Sequence, residues 1–355
     1  MAIMCLGAGY SFHSVGGNRG GHLRRALLIW SVLAVAGLAA FALALATGST
    51  WVSLPDLTRA LFVPGDSLAG EIVTKLRLPR ALAAFATGGL LALAGALMQI
   101  LLRNPLADPY VLGLSGGAAV GALGAMLAGL GALAVNVGAA LGALAAILLV
   151  FTLARRDFAR QQVFGTIDAS PRLLLTGVIL AAGWGAVITL MLTMAPDTKL
   201  RGMLFWLMGD LNGVDSFAPA LLTLAVALVV IYPVASDLNV LLRGETLAHA
   251  LGVRVVLLRR MVYLVASVAT ALAVTTAGTI GFVGLVVPHA LRLALGNDQR
   301  VLLPACALAG GALLLAADTV ARSVLAPQQL PVGVITALIG VPAFMFMLTR
   351  SPRKA

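Results

Sequence analysis

Few residues in this chain have the type and spacing to do chemistry. Gly113-Leu114-Ser115-Gly116-Gly117 fits G-x-S-x-G, the pattern in which a sharp turn exposes a serine nucleophile. Such a serine needs a histidine base, and His289 is the only plausible partner in an apolar stretch. A pattern this short also arises by chance in Gly/Ser/Ala-rich helices, and no base motif accompanies it. No G-x-x-x-x-G-K-[ST] phosphate loop, HExxH motif or clustered Cys/His spacing is present. Cys5 and Cys306 are too far apart in sequence to give a disulfide framework. We therefore expect no catalytic residue, cofactor or metal. Any uphill work needs an energy source on another protein.

The charged residues are more informative. Arg77 and Arg80 flank Pro79, and Arg322 lies far along the chain. Guanidinium forks of this kind dock carboxylates bidentately, although from the residues alone snorkelling at a membrane boundary is the favoured reading. Segment 236–260 pairs an apolar face (Leu238, Leu242, Leu247, Leu251) with Arg243, Glu245 and Arg254. Gly244 and Gly252 should break it into short helices. It is either a contact for a partner protein or a plain interfacial loop.

These residues sit in an exceptionally apolar chain. Of its 355 residues 61% are hydrophobic and only 10% charged, with mean hydropathy +1.03. A soluble fold of this length buries only about 75% of the surface its unfolded chain exposes. That excludes a cytosolic enzyme, a nucleic-acid binder and a disordered chain. Ten spans of membrane-crossing character follow, near 26–46, 80–102, 110–129, 132–153, 171–194, 216–235, 260–277, 281–296, 301–317 and 333–349. Asp108-Pro109 and Ser170-Pro171 each place a capping side chain before a proline at a helix start. Pro288 should kink or break its span. Gly113, Gly117 and Gly121 form a small-residue face on the third span, as Gly88, Ala92 and Gly95 do on the second. Residues 53–62 and 200–211 read as amphipathic pieces lying at the interface.

Ten spans put both termini on one side, which the positive-inside rule tests. Of the 24 lysines and arginines, 17 fall on the side of the termini and 7 on the other. Acidic residues divide 6 and 7, so the whole formal charge of +11 lies on the first side, expected to be cytoplasmic. The organisation expected is a disordered cytoplasmic tail over 1–25, a transmembrane domain over 26–350 and a short tail over 351–355. Ser53 is the expected cap of the first amphipathic piece. A cleavable signal peptide is rejected, because the first apolar run is long enough to span and lacks a clean cleavage site.

The ordered motifs resemble the FecCD-type permeases of type II ABC importers. The resemblance covers about residues 75–350. It rests on Leu76-Arg77-Leu78-Pro79-Arg80, on Gly88 to Gln99, on Arg103-Asn104-Pro105-Leu106-Ala107-Asp108-Pro109, and on Gly113 to Ala118. It continues through Phe205 to Gly209, Gly244-Glu245 with Ala248 and Leu251-Gly252, Gly278 to His289 with Arg292, Asp318, Arg322, and Leu330 to Gly333.

The resemblance implies an all-α polytopic membrane fold with about ten transmembrane helices. It implies a second copy of the chain, two separate ATPase subunits and a periplasmic substrate-binding protein as partners, and no nucleic acid. By resemblance, Arg77, Arg80 and Arg322 meet acidic residues of the binding protein. Leu242, Arg243, Gly244, Glu245, Ala248, Leu251 and Gly252 couple to the ATPase. Leu175, Val178, Gly183 and Ile188, on the fifth span, line the translocation path. The cargo implied is a ferric siderophore, haem or cobalamin. An ion-coupled secondary carrier, and an intramembrane serine protease using Ser115, are the rival readings.

Overall fold

The computed structural model describes residues 19–48, 52–62, 68–159, 171–214 and 216–350. Of the expected tails over 1–25 and 351–355, residues 1–18 and 351–355 lie outside them, as does the Ser170 cap, whereas residues 19–25 are helical and begin α1. Helices follow one another as α1 (Arg19–Ala46), α2 (Leu54–Phe62), α3 (Leu68–Glu71), α4 (Leu78–Leu101), α5 (Leu114–Leu127), α6 (Ala132–Ala159), α7 (Pro171–Met194) and α8 (Asp197–Leu207). They continue as α9 (Ala218–Ile231), α10 (Ala235–Leu241), α11 (Glu245–Ala250), α12 (Val255–Ala277), α13 (Val283–Leu295), α14 (Gln299–Ser323) and α15 (Val332–Arg350).

Ten apolar helices stand at the ten expected positions. Among the described residues, seven helices are long and apolar enough to cross a membrane, and α5, α13 and α15 are shorter. α4 is the central element. Nearly all of it is buried, against α14, α12, α13 and α9. α7 is its opposite, packed on α5 and α6 along one side and open along the rest. Small residues permit the closest crossings. A Cβ added at Gly88 would run into the backbone of Gly310 on α14, and one at Gly121 into that of Gly138 on α6. Neighbouring backbones interlock where a side chain would hold them apart.

Several boundaries differ from expectation for definite reasons. The second span does not begin at residue 80. α3, one π-helical turn (Ile72–Arg77) and α4 form one continuous rod from Leu68. Pro79 lacks an N–H and crowds the preceding turn, and the wider π turn accommodates it. The ninth span extends past 317 to Ser323, because the charges Asp318 and Arg322 are paired internally and do not end it. The seventh span starts at Val255, not 260, since Arg259 also finds a partner. Segment 236–260 is therefore shorter than read. Residues 236–241 finish α10, and 255–260 begin α12.

The third span is also corrected. Asp108 does cap, accepting from the Tyr110 N–H at 2.8 Å, but what it caps is a single 3₁₀ turn (Pro109–Leu112). Gly113 then adopts φ 74°, and α5 begins only at Leu114. Gly113 thus serves the turn, leaving Gly117 and Gly121 for packing. Pro288 does not break α13, which runs through it from Val283. Ser53 meets its expectation as a cap for α2, exchanging hydrogen bonds with Asp56.

Candidate functional site

Two clusters of buried charge occupy opposite ends of the bundle, and α4 reaches both. At the start of α4, Arg80 forks onto Asp318 of α14. Its Nε lies 3.1 Å from each carboxylate oxygen, and its Nη2 donates to Oδ1 at 2.8 Å. Its Nη1 reaches outward to the Gln329 side-chain oxygen at 2.7 Å. Arg322, one turn after Asp318, has its Nε 3.5 Å from Asp318 Oδ2 and donates through Nη2 to the Ala44 carbonyl. Arg77 donates to the carbonyls of Leu45 (2.7 Å) and Ala46 (2.9 Å), where α1 ends.

All three outer arginines expected at the binding protein therefore converge, but inward. Arg77 and Arg322 are buried, and Arg80 is the one extending to the surface. All three guanidiniums are held by groups of this chain. The carbonyls that end α1 and the buried Asp318 carboxylate need donors, and the guanidiniums supply them, with the Val52 N–H also reaching the Ala46 carbonyl at 3.0 Å. Asp210, just after α8, lies near the same cluster. Burial raises its carboxyl above the ordinary range, while the Asn212 N–H and Arg80 oppose the rise.

The second cluster surrounds α11. Glu245 opens this helix after Gly244, whose φ of 128° suits glycine alone. Its Oε1 lies 3.2 Å from Arg103 Nη2, just beyond α4, and 3.0 Å from Arg259 Nη2 on α12. Arg103 holds this position with φ 48°, a left-handed conformation costly for a residue with a Cβ. Asn239 of α10 donates to Asp298 Oδ1 at 2.7 Å and accepts from the Gln299 N–H at 2.8 Å, which ties the segment to the start of α14. Ala248 is buried with Glu245, and Arg243, Leu247 and Leu251 point outward. Leu242 is half-buried, and Gly252 turns the chain with φ 78°.

On α7, Leu175 is 58% exposed and Val178 52%, and nothing lies within 4 Å of where a Gly183 Cβ would be. Ile188 is half-buried against α5. An apolar cleft of about 560 Å³ opens beside α15, between Met208, Thr279 and Leu338. The protease constellation does not assemble. Both ring nitrogens of His289 lack hydrogen-bond partners, and its ring packs edge-on against Phe344, 5.8 Å away. Sequence reading missed Arg103 and Arg259 as the partners of Glu245. An acidic residue between glycines in a basic segment was the available signal.

The FecCD transport family model matches residues 34–350. The vitamin B12 import system permease protein BtuC of Salmonella typhi is 41% identical over 320 residues, covering 89% of this chain and 93% of that protein. Its counterpart in Salmonella arizonae is 40% identical over 320 residues, covering 89% and 92%. A solved structure described as an inward-facing metal-chelate type ABC transporter aligns with TM-score 0.79 and 28% identity, over 92% of this chain and all of that one. PsaBC from Streptococcus pneumoniae shares the fold at TM-score 0.53 and 17% identity, over 80% of this chain and 95% of that one. With its all-α membrane fold and ten apolar helices, the chain belongs to the FecCD transport family, as a multi-pass ABC-importer permease of the inner membrane and not an enzyme.

Proposed function

We propose that this chain is one of two identical membrane halves of an ATP-driven importer that carries cobalamin-type corrinoids into the cell. The observation that carries the cargo is the 41% identity to vitamin B12 permeases across 93% of their length. The metal-chelate transporter matches over a similar share of the chain at 28%.

Two ATPase subunits seat against the outward face of the α11 segment, where Arg243, Leu247 and Leu251 are exposed. Closure of the ATPases rocks the two bundles, and the path between them opens to alternate sides. The exposed, largely apolar face of α7, with Leu175, Val178, Gly183 and Ile188, lines that path at the contact between copies. Such a wall binds cargo weakly and so releases it. A periplasmic binding protein meets the opposite end, with Arg80 best placed to receive an acidic residue because it already reaches Gln329 at the surface. Arg77 and Arg322 hold the platform beneath. Both termini lie in the cytoplasm, on the charge asymmetry of the sequence.

The test is reconstitution with the cognate ATPase and binding protein in vesicles, offered cyanocobalamin, haem or a ferric siderophore. ATP-dependent accumulation of cyanocobalamin is expected. Accumulation of an iron chelate alone overturns the cargo. Accumulation by the chain without any ATPase overturns the mechanism and restores the ion-coupled carrier.

A further inference from the structure

We infer that Glu245 and Arg103 form the joint through which movement of α11 is passed to α4, and that Arg103 is a positioning residue for energy coupling. The inference deepens the proposed contact between the α11 segment and an ATPase, and it rests on that reading. α11 is six residues long and follows a glycine whose backbone resists no rotation. It packs chiefly on α10 and on the start of α12. A short helix hinged between Gly244 and Gly252 is poorly placed to push a bundle by packing alone.

Its carboxylate changes that. Glu245 is turned away from solvent, its side chain only 6% exposed, and one oxygen faces two guanidiniums, one on α12 and one in the turn that follows α4. Arg259 ties it to α12, which immediately follows α11 in the chain. Arg103 ties it to α4, more than 140 residues earlier. Among the described residues, Glu245–Arg103 is the ion pair that joins α11 to the α4 end. Arg103 has left-handed backbone in the turn that ends α4. α4 is almost wholly buried and rigidly packed, so a displacement at its Arg103 end cannot be absorbed locally. At its other end lies Arg80, locked to Asp318. The arrangement is a rod with one ionic joint at each end, driven from α11.

Arg103→Gln separates this function from folding. It cuts the tie to α4 and leaves Glu245 paired with Arg259, so the carboxylate is not stranded. The assay uses the full complex in vesicles, with whichever of cyanocobalamin, haem or ferric siderophore the wild type accumulates. ATPase retained on the purified permease and cargo moved per ATP hydrolysed are measured together. Arg103→Gln should retain ATPase at the wild-type level and lose at least fivefold in cargo per ATP. Arg103→Lys, which keeps the charge, should recover most of that ratio. A wild-type ratio in Arg103→Gln, or loss of ATPase from it, overturns the joint. The underlying contact is tested separately by Leu247→Glu with Leu251→Glu, which should shed the ATPase. If that variant keeps the ATPase, the α11 reading fails whatever Arg103 does.

Discussion

Arg80 and Asp318, 238 positions apart in sequence, close a forked ion pair between the start of α4 and the end of α14. Asp318 is 1% exposed and also faces Arg322, so one carboxylate balances two guanidiniums in the most deeply buried part of that end. Removing one member of a buried pair is worse than never having built it, because the survivor keeps its desolvation cost.

Asp318→Asn should therefore destabilise the isolated chain by roughly 3 kcal/mol or more, the range for breaking a buried pair. Thermal unfolding in detergent checks this. Arg80→Lys should lie in between, since an ammonium keeps the charge but not the fork. Wild-type stability in Asp318→Asn would mean that water already screens the pair.

Arg77→Met tests whether Arg77 is a strut. It removes the guanidinium from the Leu45 and Ala46 carbonyls at the end of α1, while the Ala46 carbonyl keeps the Val52 N–H at 3.0 Å. Leaving a buried acceptor unpaired costs about 1–3 kcal/mol. The melting temperature should fall with no binding protein present, and α1 should become sensitive to protease. A residue serving docking alone would leave both unchanged.

Gly121→Leu and Gly183→Leu make opposite predictions. The first drives a side chain into the α6 backbone at Gly138, and overpacking of this kind costs about 1–3 kcal/mol. The second meets open space on α7 and should leave the melting temperature unchanged. Uptake by Gly183→Leu should nevertheless fall severalfold, because the added bulk stands in the proposed path. Full uptake by a well-inserted Gly183→Leu would remove α7 from that path.

Asp108 gives a pH dependence. Burial, partly offset by the Tyr110 N–H, raises its carboxyl from 3.8 to about 6. The folded state then holds the proton more tightly than the unfolded state. Its contribution to stability is fully present below about pH 4, is lost as pH rises to about 6, and is flat above. Asp108→Asn keeps an oxygen for the cap and removes the charge. It should flatten that decline and raise stability at pH 7, by at most about 3 kcal/mol at 1.36 kcal/mol per pH unit. Melting curves from pH 4 to 7 measure it.

What could be read from the chain is what local composition dictates. Apolar runs located the ten apolar helices, seven of which among the described residues are long enough to cross hydrocarbon, because each run must be satisfied within itself in lipid. Glycines at 244 and 252 announced the breaks around α11, and the ordered motifs announced the family. The limits of helices were harder. Asp318, Arg322 and Arg259 look like ends of spans, and a charge in an apolar helix ordinarily is one. Only in three dimensions do Arg80 and Glu245 arrive to neutralise them, so α14 and α12 run on.

The same physics divides the functional residues. Sequence supplied the arginines at 77, 80 and 322 and the glutamate at 245, since charge is a property of the residue alone. Whether a charge faces a partner protein or its own bundle depends on which helices cross beside it. Those crossings are set by contacts such as Gly88 on Gly310, between positions more than 200 residues apart. Tertiary structure alone decided that these charges meet partners within the chain, in two clusters at opposite ends of one buried helix.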